Sequence, residues 1–529
     1  MALPYACKRI MSTTAGQMNK SSEADEPLSA LISNASAVRA VAASVEGTLG
    51  PKGLNCMLVD RFGDVTVTND GSTILDRIEA NHPAARMLIR VAKAQDAAVG
   101  DGTTTASVLA GALIAEALNQ ITRGVPVTKV IEGINLGTKK ALEVIRESAR
   151  PVTNLDDPLI RQAAYISGRE NSDIADLVVE AARLMGREKL LDPGWRLADS
   201  VTAKEGAENE VFAGLILEKE RMNRLMPRQV DEASVLVIDD DLEPEQVGDD
   251  ALRTESGFSR SLQLQEEFKK NIAKIIGLKV GLVVVHKSVS DSAEEAFMDA
   301  GIMVLRRVSA RDIARVVEHT GARSIKRAGL KRPAEDLSKF LGVCARVYED
   351  ERLSHIRIEG GAGKPAATIL VGAATREVKE ERERIAEDAA CAVQAAIADG
   401  VVAGGGSVEM AASRAVSAYR EGVKGMASYG VDCVVQALKK PLSQIVANAG
   451  FNPLEKIEDV IAAQSERGCN SLAINCETGE VGDMYELGVV DPLKVKIYAL
   501  TAASEVADAV LRINTIIKSR QTGEALSSG

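Results

Sequence analysis

A chain of 529 residues exceeds what one hydrophobic core can organise, because single cores stop growing at roughly 250 to 300 residues, so two or three domains are expected. With 46% apolar and 26% charged residues it has the makeup of a folded protein, while 3% aromatics and a net charge of −11 exclude the usual base-stacking and phosphate-backbone modes of nucleic-acid binding. His82, His286, His319 and His355 lie far apart and the seven cysteines lack C-x-x-C spacing, which excludes a histidine-built or thiolate-built metal centre and suggests reduced thiols.

Residues 1–27, rich in Ser, Thr and Lys without apolar periodicity, are expected to form a mobile arm. From Leu28 to Val45 apolar residues recur at helical spacing up to Gly47. Residues 56–67 alternate and read as strands around a turn near Gly63, and residues 104–121, apolar on nearly every side, read as a helix buried all round. After Arg150-Pro151 the texture changes. Between about 209 and 345 short Val/Ile/Leu runs alternate with helical stretches, the clearest unit being strand 280–285, a helix over 291–300 capped by Gly301, and strand 302–305. From about 384 onward long helices return and end in residues 492–518, so the α/β part reads as an insertion into a helical one. Between strands 234–238 and 280–285 runs a charged excursion in which Leu264, Phe268, Ile272 and Ile275 line one side of a helix, either docked on its own domain or presented to a partner. No apolar run reaches the roughly 18 residues of a membrane span and MALPYACKRIM lacks a signal-peptide core, which suggests a reducing cytoplasm.

No match to the G-x-x-x-x-G-K-[ST] phosphate loop occurs: GGAGKP at 360–365 lacks the leading Gly and has Pro in place of the hydroxyl residue. Four Gly/Asp clusters are spread along the chain instead: LGPKG at 49–53, NDG at 69–71, GDGTTT at 100–105 and AGGGS at 403–407. Glycines let backbone amides approach an anion, and GDGTTT and AGGGS both run into helices whose N-terminal amides favour negative charge. Asp101 is placed like a Mg2+ ligand, since Mg2+ takes one or two carboxylates beside phosphate oxygens and water. Each cluster alone has a plainer reading: an N-cap of Asp and Thr hydroxyls for GDGTTT, a tight turn for NDG, a flexible loop for AGGGS.

Taken together and in order, TLGPKGLNCMLVD, VTVTNDGSTIL, GDGTTTASVLAGALIAEA, GVVAGGGSVE and VVDPLKVK resemble the chaperonin family over nearly the whole chain, and more closely its lidded group II branch or the related group III proteins than group I. The resemblance implies a multidomain, ring-forming ATPase. Its mostly α-helical equatorial domain would comprise 28–142 and 401–529, its small α/β intermediate hinge 143–207 and 363–400, and its α/β apical domain 208–362, with a helical protrusion at about 241–274. It implies ATP and Mg2+ as ligands, non-native proteins as clients, two stacked rings most often of eight subunits, and no separate cap protein. By motif, Leu49, Gly50, Pro51 and Asp70-Gly71 would lie on the phosphate side, Asp101 would hold Mg2+, and Gly102 with Thr103, Thr104 and Thr105 would bind phosphate. Gly404, Gly405 and Gly406 would pass close to the nucleotide and Asp491 would bond its ribose or base end. The hydrolytic carboxylate would be Asp388, with Glu387 the adjacent rival and Asp70 helping to orient water. Arg169 would occupy a loop that senses the γ-phosphate in lidded relatives. Phe297 and Met298 are candidates for client contact, with core packing the plainer role. The C-terminal RQTGEALSSG lacks the Gly-Gly-Met repeats of many relatives.

Overall fold

The computed structural model describes residues 25–248 and 253–515. Residues 1–24 of the expected arm, 249–252 of the excursion and the terminal RQTGEALSSG lie outside the described residues.

Helices from the two chain ends share one core. In the helix Asp25–Glu46, Leu31, Ala35, Val38, Ala42 and Val45 fall on one face and are buried against the helix Thr103–Thr122. The stretch Leu28–Glu46 is long and apolar enough to cross a membrane by composition, contrary to the sequence expectation, yet its apolar face belongs to this core. Thr103–Thr122 is buried on most sides because Asp25–Glu46, Ala427–Asn448 and Leu493–Leu511 all pack on it. The tightest crossing joins Val127–Glu147 to Ala427–Asn448. A Cβ on Gly133 would stand 1.9 Å from the carbonyl oxygen of Ala427, and one on Gly430 would stand 2.1 Å from that of Val130. The two helices therefore touch backbone to backbone, and any side chain at either glycine would part them.

The middle of the chain builds a six-stranded sheet in the order Gly214–Leu217, His355–Gly361, Gly342–Asp350, Gln229–Ile238, Leu282–Val285, Met303–Leu305. The last three run parallel, joined by helical crossovers, and the others are antiparallel. Alternation along Gln229–Ile238 sends Val235 and Val237 to the face covered by Ala310–Thr320, and Leu236 and Ile238 to the face covered by Glu255–Gly277 and Asp291–Asp299. The expected strand–helix–strand unit is present as Leu282–Val285, Asp291–Asp299 and Met303–Leu305, with Gly301 at φ 69° after the helix. The stripe Leu264, Phe268, Ile272 and Ile275 is buried, so the excursion's helix docks on its own sheet, while Phe258 and Leu262 near its start are exposed. Phe297 is fully buried in that core and Met298 is half-buried against it, which removes Phe297 as a client-contact residue.

Between these two bodies lies a third core. The helices Pro158–Ser167, Ser172–Met185 and Arg376–Asp399 pack with a three-stranded sheet in which Thr368–Ala373 runs parallel to Val201–Glu205 and antiparallel to Glu210–Phe212. Its strands and helices come from the two segments that connect the middle of the chain to its ends.

Candidate functional site

Asp70 opens the short helix Gly71–Arg77 as its N-cap, accepting hydrogen bonds from the amides of Ser72 (3.2 Å) and Thr73 (2.8 Å) and from the Thr73 hydroxyl (2.6 Å). NDG is thus a helix start and not the tight turn expected of the motif alone. Gly71 packs on the GDGTTT cluster: its missing Cβ would stand 2.2 Å from Thr104 Oγ1 and 3.1 Å from Thr103 Oγ1. In GDGTTT, Gly102 at φ 82° caps Thr103–Thr122 and has no side chain to bond its first amides. The cap of Asp and Thr hydroxyls expected there does not form. Instead Asp101 Oδ1 accepts from the Gly102 amide (2.5 Å) and its Oδ2 from the Ser167 hydroxyl (2.8 Å).

Asp388 arrives from the third core, on the helix Arg376–Asp399. That helix lies on the GDGTTT loop, since a Cβ on Gly100 would stand 2.3 Å from Cys391 Sγ. Asp388 Oδ2 is 3.7 Å from Arg169 Nη2, and its side chain is 26% accessible. Arg169 also pairs with Glu381, two turns earlier on the same helix, and Glu381 in turn meets Arg384 (2.8 Å) and the Thr68 hydroxyl (3.5 Å). Arg169 and Glu170 hold φ values of 52° and 62°, a left-handed pair of non-glycine residues that this clamp and the helix end sustain.

Charge shows which groups converge. Burial raises the Asp388 pKa well above the usual carboxylate range, Asp101 and Asp70 add to the rise, and Arg169 opposes it. Burial likewise raises Asp101, with Asp491 adding and the Ser167 hydroxyl opposing. Burial raises Glu387 too, but its next neighbours are Glu383 and Arg311, so Asp388 and not Glu387 faces Asp70 and Asp101. Asp96, which sequence reasoning missed, joins the group: burial raises its pKa although it accepts from the Ser72 hydroxyl at 2.9 Å.

The remaining clusters border these carboxylates. The short strands Val401–Ala403 and Val490–Pro492 pair antiparallel with Val402 opposite Asp491, and a Cβ on Gly404 would stand 3.0 Å from Asp491 Oδ2. Gly405 and Gly406, at φ 62° and 80°, lead into the helix Ser407–Arg420. Lys496, also missed, places its Nζ 2.7 Å from Asp491 Oδ2 and 2.8 Å from Glu409 Oε1. The Leu49 carbonyl accepts from Asn448 Nδ2 (2.8 Å), and Gly50 at φ 86° packs on Ile445 beside Pro51. Lys52 pairs with Glu477 at 2.5 Å and feels Glu170, so LGPKG borders the Arg169 turn. Among the described residues no group of three or more His, Cys, Asp or Glu side chains is arranged to hold a metal by itself.

Residues 41–521 match the TCP-1/cpn60 chaperonin family. The chain belongs to that family. This chaperonin chain is 35% identical over 505 residues to a thermosome subunit of Pyrococcus abyssi, covering 92% of this chain and 91% of the relative. It is 34% identical over 509 residues to a thermosome subunit of Methanopyrus kandleri, covering 92% of each. A crystal structure of a group III chaperonin in the open state superposes with a TM-score of 0.86 at 46% identity, covering 94% of this chain and all of that one. The chaperonin is thus a nucleotide-binding, ATP-hydrolysing subunit of stacked rings that drive the folding of non-native proteins, as its motifs led us to expect.

Proposed function

We propose that this subunit binds Mg-ATP where Asp70, Asp101, Asp388 and Asp491 meet, and that nucleotide binding and hydrolysis together drive closure of an eight-membered ring by a lid built into the chain. We assign 28–142 and 401–529, whose described residues form the helical body, to the equatorial domain, 143–207 with 363–400 to the intermediate hinge, and 208–362 to the apical domain, with the protrusion at about 241–274, apart from the undescribed 249–252, as lid. The ring works in the cytoplasm without a separate cap protein.

The observation that carries this reading is the crowding of Asp70, Asp96, Asp101 and Asp388, buried enough that Asp96, Asp101 and Asp388 all hold their protons more tightly than free carboxylates. Such an arrangement is costly alone and is offset by a cation. Asp101 would hold Mg2+, which when bound neutralises phosphate charge, the one-carboxylate attachment that Mg2+ favours where phosphates complete its shell. The first amides of Thr103, Thr104 and Thr105, with those of Gly50, Gly71, Gly405 and Gly406, would donate to the phosphates, while Leu49, Pro51, Gly102 and Gly404, whose amides are absent or already bonded, would line the site and let the nucleotide come close. Asp388, ionised, takes a proton from the attacking water, which Asp70 helps to orient. Its raised pKa makes it a stronger base than an exposed aspartate.

Since Asp388 and Arg169 ride on the connecting body while Asp70 and Asp101 belong to the helical one, chemistry requires the two bodies to be docked. Hydrolysis and domain closure are coupled through that contact. In Asp388→Ala rings, nucleotide binding by calorimetry should persist while steady-state ATP turnover falls about 100-fold or more. Unchanged turnover would reject the assignment.

A further inference from the structure

Lys496 is the most enclosed cation of the site. Its side chain is 9% accessible and stands between Glu409, 3% accessible, and Asp491, 19% accessible. An ammonium so enclosed keeps its proton only when paired, and here the two carboxylates raise its pKa against the cost of burial. Three separate elements meet at this one nitrogen: Asp491 lies on the strand Val490–Pro492, Lys496 in the first turn of Leu493–Leu511, and Glu409 in the first turn of Ser407–Arg420, which leads out of the glycine loop.

The two carboxylates are not equivalent. Glu409 is sealed in the interior against the ammonium. Asp491 borders the glycine loop, where the absent side chain of Gly404 leaves its Oδ2 only 3.0 Å from the Cβ position. With one ammonium shared by two carboxylates, the trio keeps one negative charge. A hydroxyl donor is welcome beside it and a phosphate is not.

We propose that Lys496 is a positioning residue: it pins Asp491 Oδ2 so that Oδ1 is aimed at a hydroxyl of the nucleotide's sugar, and it sets nucleotide affinity while leaving turnover alone. The assignment rests on the reading of this site as the place of nucleotide binding. It differs from the roles of Asp101 and Asp388, which lie at the phosphate end.

The test is steady-state ATP hydrolysis by assembled full-length rings of Lys496→Met, Asp491→Asn and the pair combined. Lys496→Met should raise KM for ATP about tenfold, the worth of one charge-assisted hydrogen bond, with kcat within about twofold of the parent. The combined variant should be no worse than Asp491→Asn, because both act on one contact. Should Lys496→Met not fold, Glu409→Gln with Lys496→Met removes both charges of the buried pair and should give the same rise in KM. If Asp491→Asn raises KM and the Lys496 variants do not, or if they lower kcat at constant KM, the positioning role is overturned and the site reading stands. If Asp491→Asn leaves KM unchanged, the nucleotide reading of this end of the site falls as well.

Discussion

Ser167 donates its hydroxyl hydrogen to Oδ2 of Asp101 across 2.8 Å, although Ser167 ends the helix Pro158–Ser167 of the connecting body and Asp101 lies in the loop that leads into Thr103–Thr122 of the helical body. The bond orients the carboxylate proposed to hold Mg2+ and does so from the body that also brings Asp388. A Ser167→Ala subunit should therefore need about tenfold more Mg2+ for half-maximal ATPase, the usual effect of losing a partner behind a metal ligand. Mg2+ titration of the ATPase at saturating nucleotide checks it.

Asp388 gives a stability prediction with a definite sign. Its folded-state pKa is raised by burial and by Asp101 and Asp70, so the folded protein holds that proton more tightly than the unfolded chain. Stability from this group is fully present below the ordinary carboxylate pKa of about 4 and is lost as pH rises through the raised value. Without nucleotide at neutral pH, Asp388→Asn should raise the unfolding midpoint by a few °C, roughly what 1 kcal/mol does to a body of this size. The gain should vanish in thermal scans below about pH 4.

Arg169 opposes that rise. Removing it in Arg169→Ala should move the acid limb of the kcat profile to higher pH, because Asp388 then needs a more basic solution to ionise. Arg169→Lys keeps the charge but loses the planar fork shared by Glu381 and Asp388, so its profile should lie between the two. A pH series of single-turnover hydrolysis reads the shift.

The Gly133 and Gly430 contact is a purely mechanical test. Gly133→Ala places a methyl group 1.9 Å from the Ala427 carbonyl oxygen, and the helices must separate. A loss of about 1 to 3 kcal/mol is expected, seen as an earlier denaturant midpoint with little change in slope.

Much of this was legible in the residues. The strand–helix–strand unit ending at Leu305 announced itself because its apolar runs are short and its helix stop is a glycine. The stripe from Leu264 to Ile275 was read correctly as a helix face, though what covers it is tertiary information that spacing does not carry. Asp70 was harder. An Asp-Gly pair bonds its own backbone in a turn and in an N-cap by the same local chemistry, and only the packing of Gly71 on Thr104 decides between them. Ser167, Asp96 and Lys496 were missed for a different reason: their partners lie in other segments, and a lone Ser, Asp or Lys on a helix looks like a solvated face. Lys496 did stand inside a motif already singled out, VVDPLKVK, and a lysine five places after an aspartate at the start of an otherwise apolar helix was the available signal.

The shared core of Asp25–Glu46 and Leu493–Leu511 carries a cost during synthesis. The first helices leave the ribosome with apolar faces whose partners are translated hundreds of codons later, after the whole sheet-bearing insertion has emerged. Such non-local pairing is slow, and the waiting surfaces invite aggregation. A nascent subunit of this folding machine is itself the kind of chain that needs shelter, and ribosome-bound fragments ending before the second half of the core should be the species that nascent-chain holdases retain longest.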